Sequence, residues 1–398
     1  MDCIQNITSD WVYVGANDRR LHLFENIYPI PHGVSYNAYL LKDEKTVLMD
    51  TADANVREIF LSNVKAALAG RALDYLVVQH MEPDHCALIE DIVSRYPNVQ
   101  IVCNAKTATM LGQFFDENYQ ERLLIVKEGD KLSTGHHTLS FVFAPMVHWP
   151  EVMMTYDEVD KILFSADAFG SFGALDGNLF DDEIDLPAWL GEMRRYYTNI
   201  VGKYGTPVQA VLKKAQTLDI QMICPLHGVI WRKELGYILD KYQKWSTYTP
   251  EDKSVVLVFG SIYGHTEKVV NALAFMLGQK GVKNIRVYDV SSTHPSEIVA
   301  EAFRASCLVF ASPTYNMGIF PNMETVLLDL KAHALTSRTV ALIENGSWAP
   351  VAGSAMTKIF EQMKGIQLLT PTLTVKSAFK EAQKESLEAM AQAIIESL

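Results

Sequence analysis

The chain has few cysteines and no pair of them at metal-binding spacing. The five are Cys3, Cys86, Cys103, Cys224 and Cys307. None belongs to a Cys-x-x-Cys motif, which excludes a four-cysteine rubredoxin or zinc-ribbon module within this sequence. An odd number of cysteines predicts reduced thiols that are mostly buried.

The sequence also lacks an excess of positive charge and a membrane-spanning run. Its formal net charge is −12, which argues against nucleic acid or an anionic membrane as the main partner. No apolar run is long enough to cross a bilayer, and the first residues lack the basic start and apolar core of a signal peptide. We therefore expect a cytoplasmic protein that binds neither nucleic acid nor membrane. The absence of a Gly-x-x-x-x-Gly-Lys motif argues against a Walker-type nucleotide site.

The length of 398 residues suits two domains, each large enough for its own core. Residues 246–253 are polar, contain a proline and predict a linker, so we expect domains at 1–248 and 254–398. In the second domain, predicted strands alternate with helical patterns. This alternation predicts an α/β fold with a doubly wound parallel sheet. The predicted strands are Val255–Phe259, Ile285–Val290, Cys307–Ala311, Thr339–Ile343 and a less regular one at Leu369–Val375.

One six-residue segment carries four side chains that can bind a metal. His80, Glu82, Asp84 and His85 directly follow the apolar run 75–78. Ligands at the end of a strand project from one rigid edge. A histidine at position 82 would suggest a zinc hydrolase, whereas the carboxylate enriches the set in oxygen and suits iron or manganese.

Three further candidate ligands end or closely follow short apolar runs: His148, Asp167 and His227. Taken singly, each also fits a hydrogen-bonded core histidine, a turn aspartate or a helix cap. Side chains at strand ends converge on one edge of layered α/β folds, so the ordered set of seven predicts one metal centre. Tyr196 and Tyr197 fit either core aromatics of a helix or hydrogen-bond donors to that centre.

Three loops of the second domain combine hydroxyl, glycine and aromatic residues at predicted strand ends. The first, Ser-Ile-Tyr-Gly-His-Thr at 261–266, precedes a helix whose N–H groups and dipole favour a phosphate. The other two add aromatic rings that can stack on a flavin, although exposed turns are the alternative interpretation. The loops look like a flavodoxin site for FMN. The candidate residues are Ser261, Ile262, Tyr263, Gly264, His265, Thr266, Ser312, Pro313, Thr314, Tyr315, Asn316, Asn345, Gly346, Ser347, Trp348 and Ala349.

On these motifs the whole chain resembles the flavodiiron proteins, also called A-type flavoproteins. The sequences His148-Trp149-Pro150 and His227-Gly228-x-Ile230-Trp231 are similar to the family's as well. The resemblance implies a metallo-β-lactamase-like αββα sandwich followed by a flavodoxin-like domain that binds FMN. It also implies two non-haem irons with Asp167 as a bridge. One iron would be held by His80, Glu82, His148 and Asp167, and the other by Asp84, His85, Asp167 and His227, although His85 does not bind iron in every member.

The resemblance implies that dioxygen is reduced to water or nitric oxide to nitrous oxide, with FMN feeding electrons to the irons. It also implies a separate electron donor, either a rubredoxin-like protein or reduced deazaflavin, and a head-to-tail homodimer or dimer of dimers. Two other hypotheses stay open. One is a zinc hydrolase of metallo-β-lactamase type with a regulatory flavodoxin domain, and the other is an electron carrier in which only the flavin domain works.

Overall fold

The structure is a computed structural model that describes residues 2–398 and divides them into two compact units. The first unit contains the chain up to Tyr197 together with Thr206–Gln243. The second contains Thr198–Gly205 and Lys244–Leu398. The expected domain boundaries at residues 248 and 254 stay a prediction. Among residues 2–398, no helix has both the length and the hydropathy needed to cross a bilayer.

The first unit is built on two sheets of short strands. One sheet has the strand order β1-β2-β7-β8-β9-β10-β11 and becomes parallel from β8 onward, and the other has the order β12-β13-β14-β15-β16, with only its last pair parallel. Two antiparallel ribbons, β3–β6 and β4–β5, complete the unit. The strands are β1 (Gln5–Asn6), β2 (Trp11–Tyr13), β3 (Ala16–Asp18), β4 (Leu23–Phe24), β5 (Tyr28–Pro29), β6 (Val34–Tyr36), β7 (Tyr39–Lys42), β8 (Thr46–Met49), β9 (Tyr75–Val77), β10 (Gln100–Cys103), β11 (Leu123–Ile125), β12 (Lys131–Ser133), β13 (Thr138–Phe143), β14 (Met153–Asp157), β15 (Ile162–Phe164) and β16 (Met222–Cys224).

The two larger sheets pack against each other through buried aromatic rings. The ring centre of Phe164 lies 4.4 Å from that of Trp11 and 5.3 Å from that of Tyr39. Burying each such side chain contributes about 1.5–3 kcal/mol. These contacts join the two sheets into a sandwich.

Helices cover the outer faces of this sandwich. In α1, Phe60, Val64 and Leu68 are buried at helical spacing and form one apolar face. A π-helical turn, Tyr197–Val201, directly follows α5. The helices are α1 (Arg57–Leu68), α2 (Pro83–Cys86), α3 (Ile89–Arg95), α4 (Ala105–Phe114), α5 (Leu186–Tyr196), α6 (Gly205–Ala215) and α7 (Leu235–Ser246).

The second unit is a parallel sheet with helices on both faces. The strand order β18-β17-β19-β20-β21, with β22 also pairing with β20, is that of a doubly wound flavodoxin-like sheet. Alternate residues of β17, such as Val255 and Leu257, share one core with residues of α8 and α12. The elements are β17 (Asp252–Phe259), α8 (His265–Gln279), β18 (Arg286–Asp289), α9 (Pro295–Arg304), β19 (Ala305–Pro313), α10 (Pro321–Ala332), β20 (Arg338–Asn345), α11 (Ala352–Phe360), β21 (Ile366–Leu368), β22 (Leu373–Val375) and α12 (Lys384–Glu396).

The predicted fold class is confirmed, and two local predictions had bounds that were too wide. Of the strand predicted at Leu369–Val375, only Leu373–Val375 forms, as β22, and the preceding strand β21 ends at Leu368. Pro371 lies in the gap and has no N–H to donate to a sheet. The predicted linker is shorter than expected, since Asp252 already begins β17 and its carboxylate accepts hydrogen bonds of 3.0 and 2.9 Å from Arg304.

A buried ion-pair network joins the two sheets of the first unit. Nδ1 of His137 lies 2.8 Å from Oδ2 of Asp157, and Nε2 lies 3.2 Å from Oδ2 of Asp10. His137, Asp157 and Asp160 could together surround a metal ion, but both ring nitrogens already face carboxylates. Burial lowers the pKa of His137, and Asp157 and Asp10 outweigh it and raise the pKa above its ordinary value. The two acids therefore favour the protonated form of the His137 ring that lies between them.

Replacing His137 with glutamine should remove a pH-dependent part of the stability. Because the folded-state pKa is raised, this stabilisation is complete below the unfolded-state pKa of about 6.5 and is lost as pH rises through the folded-state pKa. At pH 6 we expect His137→Gln to lower the free energy of unfolding by about 1–3 kcal/mol, measured by urea unfolding. The difference should shrink at higher pH. His136→Gln, a change at the exposed neighbour, is the control, and a His137→Gln deficit that does not vary with pH would contradict the prediction.

Candidate metal centre and loop cavity

The backbone changes conformation within the six-residue segment, and this change separates its ligands. Glu82 is extended, with φ −65° and ψ 139°, and Pro83 begins α2. Proline suits the first turn of a helix because an N–H there would lack a helical partner. His80 and Glu82 lie two residues apart in the extended part and share one side, whereas Asp84 and His85 lie on the helical turn.

A buried carboxylate holds this segment against the first sheet. Asp50 follows β8, and its Oδ1 accepts hydrogen bonds from the backbone N–H groups of Gln79 and His80, at 2.8 and 3.3 Å. Its Oδ2 accepts one from the Gln79 amide at 2.8 Å. Burial raises the pKa of Asp50 to about 6 although these hydrogen bonds lower it. The sequence analysis missed Asp50, because an aspartate after a strand is an ordinary turn residue.

The other three predicted ligands come from loops of the second sheet. His148 lies between β13 and β14, Asp167 follows β15, and His227 follows β16. Gly228 has φ +75°, and a Cβ there would lie 2.1 Å from Oγ of Ser171, so only glycine fits directly after His227. All seven predicted ligands are buried, and none is more than 9% exposed.

The structure brings the seven side chains together as two adjacent groups. Within each group the possible ligand atoms lie within 4.8 Å of one another. In the first, Nε2 of His148 lies 3.0 Å from Oε2 of Glu82. In the second, Nε2 of His227 lies 3.3 Å from Oδ2 of Asp84. We call them the first half-site (His80, Glu82, His148 and Asp167) and the second half-site (Asp84, His85 and His227).

Asp167 belongs to the first half-site and also faces the second. Its Oδ2 is 3.1 Å from Nε2 of His148 and 3.4 Å from Nε2 of His80. Its Oδ1 is 3.2 Å from Nε2 of His85 and 3.7 Å from Nε2 of His227. Each oxygen thus faces a different half-site, as a bridging carboxylate requires.

The arrangement of the donor atoms suits bound cations better than it suits hydrogen bonds among the side chains. The Nε2 atoms of His85 and His227 are only 3.0 Å apart. Neither oxygen of Asp84, nor Oδ1 of Asp167, accepts a hydrogen bond from any residue between 2 and 398. An uncompensated buried carboxylate costs several kcal/mol. Two cations between these groups would remove that cost, and the mixed imidazole–carboxylate set suits iron or manganese.

The pKa shifts of these side chains show that the centre favours positive charge. Burial lowers the pKa of His80, but Asp167 and its other acidic neighbours raise it well above its ordinary value. Burial also opposes protonation of His148, yet Asp167 and Glu82 raise its pKa to about 9. Burial raises the pKa of Asp167, and the histidines, His80 foremost, hold it well below its usual range. The carboxylates thus favour positive charge on or beside these histidines, as a cation-binding site requires, and metal binding there would release any protons the histidines carry.

Aromatic side chains enclose the second half-site. The ring centres of Phe24, Tyr196 and Tyr36 lie 5.4, 5.5 and 5.8 Å from that of His227. Tyr36 and Tyr196 are no more than 1% exposed, and Phe24 is 4% exposed. Together they limit the access of water to this side of the centre.

The two consecutive tyrosines have different surroundings. The ring centre of Tyr196 lies 5.5 Å from that of His227, and its hydroxyl is buried without a hydrogen-bond partner among residues 2–398. Burial, and then the charge of Asp167, raises the pKa of Tyr196 well above its ordinary value, so the hydroxyl keeps its proton. Tyr197 packs on Tyr242, with ring centres 4.9 Å apart. These surroundings favour Tyr196 as the donor to the metal centre and Tyr197 as a core residue.

A hairpin missed by the sequence analysis adds another carboxyl group. Glu25 and Asn26, both with positive φ, form the turn between β4 and β5. Glu25 is exposed, and partial desolvation together with the nearby carboxylate of Glu82 raises its pKa above its ordinary value. The turn lacks the glycine that marks such hairpins in a sequence.

In the second unit, loops at the carboxyl ends of the parallel strands enclose a cavity of about 440 Å³, the loop cavity. α8 begins at His265, directly after Gly264 with φ +85°, a conformation that favours glycine. The rings of Tyr263 and Trp348 line the cavity and are 89% and 88% exposed. The lining residues are Ser261, Ile262, Tyr263, His265, Thr266, Pro313, Thr314, Asn316, Met317, Asn345, Gly346, Ser347, Trp348, Ala349 and Ser377.

Three of the predicted flavin positions do not line the loop cavity. Gly264 shapes the turn, and its N–H donates to Oγ of Ser261. Ser312 is fully buried and accepts a hydrogen bond from the N–H of Phe320. Tyr315 forms an isolated bridge with Gly318.

The lining also includes two residues that the sequence analysis missed, Met317 and Ser377. Oγ of Ser377 donates to Oγ of Ser347 at 2.8 Å. Met317 belongs to the loop after the third predicted strand but was not chosen as a candidate, because an apolar side chain there gave no sign of contact with a flavin. Ser377 follows β22, which is outside the three loops considered.

Two family models match the chain. The model described as ODP family beta lactamase matches residues 34–228, and the flavodoxin model matches residues 257–390. The nitric oxide reductase of Moorella thermoacetica is 32% identical over 330 residues, which cover 81% of each protein.

Two solved structures are similar over nearly the whole chain. Rubredoxin oxygen:oxidoreductase from Desulfovibrio gigas has a TM-score of 0.92 at 28% identity and covers 99% of both chains. The flavodiiron protein from Giardia intestinalis has a TM-score of 0.90 at 25% identity, covering 99% of this chain and 97% of that one.

The position of Asp167 predicts a difference between two alanine variants. Asp84→Ala should leave the first half-site intact and lower the bound metal from about two ions per chain to about one, whereas Asp167→Ala removes a ligand of both and should bring it below one. Elemental analysis after reconstitution with ferrous salt measures this. Asp116→Ala, at an exposed position, is the control. Equal losses in Asp84→Ala and Asp167→Ala would show that Asp167 does not bridge.

Proposed function

Since this chain belongs to the flavodiiron proteins, we propose that it is an FMN- and diiron-dependent oxidoreductase that reduces nitric oxide to nitrous oxide, dioxygen to water, or both. The observation that carries the proposal is the pair of buried half-sites that share Asp167. A relative named nitric oxide reductase and a structural neighbour named for oxygen reduction support the two substrates.

We assign one iron to the first half-site and the other to the second, with Asp167 between them. When bound, two adjacent irons supply several electrons to a small oxidant held at one place. Glu82, Asp84 and Asp167 offset positive charge, and the histidines direct nitrogen lone pairs inward. His85 belongs to the proposed ligand set because its Nε2 faces Asp167 and His227.

The side chains around the centre form surroundings that suit a small apolar substrate. Phe24, Tyr36 and Tyr196 form an aromatic wall beside His227. This wall keeps bulk water away from that side. The Tyr196 hydroxyl keeps its proton and can donate a hydrogen bond to an oxygen atom of the substrate.

We assign the loop cavity to FMN, which supplies electrons one or two at a time. The open N-terminus of α8, next to Ser261 and Thr266, suits the phosphate. The exposed rings of Tyr263 and Trp348 provide flat surfaces for the isoalloxazine. This unit and the metal centre lie in separate parts of the chain, which suits a division between electron entry and substrate reduction.

The electron donor is a separate molecule in this proposal. The sequence contains no Cys-x-x-Cys motif for a rubredoxin module of its own, and the Desulfovibrio gigas neighbour is named for rubredoxin. We propose a rubredoxin-like protein or reduced deazaflavin as donor. A head-to-tail homodimer or dimer of dimers, and a cytoplasmic location, stay predictions.

The zinc hydrolase hypothesis is not favoured. Glu82 faces His80 and His148 within the first half-site at 3.2 and 3.0 Å, which makes this half-site rich in oxygen ligands. Two zinc ions would also give the flavin unit no redox partner, because zinc has a single accessible oxidation state. The hypothesis of a pure electron carrier does not explain why the two half-sites are present.

The proposed function predicts gas consumption by the iron-loaded, FMN-loaded chain. Anaerobically reduced protein should consume nitric oxide, dioxygen or both at a gas electrode, with a donor such as rubredoxin or reduced deazaflavin. Metal-free protein with FMN retained should be inactive. Purified protein that contains two zinc ions and consumes neither gas would refute the proposal.

Tyr196→Phe should slow turnover without emptying either site. Loss of the hydroxyl removes a proton donor at the centre, and such donors contribute about 10²–10⁴-fold to rates, so we expect kcat to fall at least tenfold. Tyr197→Phe is the matched control, with a much smaller expected effect. Iron and FMN contents are measured on the same samples, and equal rates for both variants and wild type would exclude the role of Tyr196.

A further inference from the structure

His80 is held from behind by a carboxylate outside the proposed iron ligands. Its Nε2 faces the first half-site, 3.2 Å from Oε2 of Glu82 and 3.4 Å from Oδ2 of Asp167. Its Nδ1 faces the opposite way and lies 2.8 Å from Oε1 of Glu151. When Nδ1–H donates to Glu151, the lone pair of Nε2 is directed at the metal position.

Glu151 is a buried part of the fold. It lies in the turn before β14 and is 1% exposed. The same Oε1 atom accepts a hydrogen bond of 2.9 Å from the backbone N–H of Met81. One oxygen therefore holds both the ring of His80 and the backbone next to it. The carbonyl of Glu151 is held in turn by the side-chain amide of Asn104, at 2.6 Å.

The other oxygen of Glu151 has no partner within the described chain. Oε2 is buried and accepts no hydrogen bond from residues 2–398. In the same range, the ion-pair partner of this carboxylate is His80, and neither lysine nor arginine pairs with it. A buried carboxylate needs nearby positive charge to offset the loss of hydration. The available source is the imidazole and the cations that bind on its far side.

We propose that Glu151 is a positioning residue of the metal centre, which orients His80 and adds a fourth negative charge. The inference rests on the proposed function. Glu82, Asp84 and Asp167 supply three negative charges from proposed ligand positions, and Glu151 adds one from behind His80. A fixed negative charge close to a metal stabilises its oxidised form more than its reduced form. Glu151 should therefore lower the reduction potential of the centre as well as tighten metal binding.

Two substitutions separate orientation from charge. In Glu151→Gln the side-chain carbonyl can still accept the hydrogen bonds from His80 and Met81, but the negative charge is lost. Glu151→Ala loses both. Glu58→Gln removes a charge at an exposed position of α1 and is the matched control. FMN content and thermal unfolding of each preparation report on folding.

Metal affinity is measured by competition with a chelator, and the potential by anaerobic redox titration followed by electron paramagnetic resonance. We expect Glu151→Ala to bind ferrous iron about 10–100-fold more weakly than wild type. Glu151→Gln should retain most of the affinity and show a more positive reduction potential, with the Glu58→Gln protein unchanged in both.

Wild-type affinity in Glu151→Ala would overturn the orienting role, and a wild-type potential in Glu151→Gln would overturn the role of charge. If Glu151→Ala does not fold, the isosteric Glu151→Gln protein still tests both roles. Its reduction potential tests the role of charge. Its affinity for iron tests the orienting role, because a loss as large as 100-fold would contradict the retained hydrogen bond. A wild-type protein that binds two irons but consumes no gas would refute the proposed function alone, because affinity and potential do not depend on turnover.

Discussion

Carboxylates and imidazoles buried at contact distance require positive charge between them, and the first unit is organised around that requirement. Asp167 is the clearest case, with one oxygen toward each half-site and histidine nitrogens at 3.1–3.7 Å on both sides. The fold supplies the rigidity. Asp50 holds the backbone before His80, and the carbonyl of Ser35 lies 2.7 Å from Nδ1 of His227. These contacts fix the positions of the ligands, and cations between the ligands would offset the cost of burying them so close together.

The doubly wound sheet could be predicted from the sequence, and so could the site residues that follow the ends of strands. Parallel strands such as β17 and β19 are long, apolar and bounded by helices with regular periodicity, so the doubly wound sheet follows from pattern alone. His148, Asp167 and His227 each come shortly after a recognisable strand, and the sheets bring those ends to one edge. The choice between Tyr196 and Tyr197 was open, because neighbouring positions on a helix are distinguished by packing, which the sequence does not display.

The residues that escaped prediction act through contacts distant in sequence. Asp50 lies 29 residues before Gln79, and Glu151 lies 71 residues after His80. Neither belongs to a local motif, and each has an ordinary interpretation as a turn residue. Ser377 lines the loop cavity because it comes shortly after the carboxyl end of β22, whose bounds the sequence pattern did not define. Glu25 lies in a short hairpin whose turn residues give no signal. The candidate ligands could therefore be identified from the sequence, whereas the groups that support them could not.

The switch from extended to helical backbone at Glu82 has a consequence for how this centre can change. A single stretch from His80 to His85 contributes to both half-sites, so inserting or deleting one residue there would rotate the downstream pair relative to the upstream pair. Substitutions can change the metal affinity of either half-site, but the number of residues between His80 and His85 must stay the same.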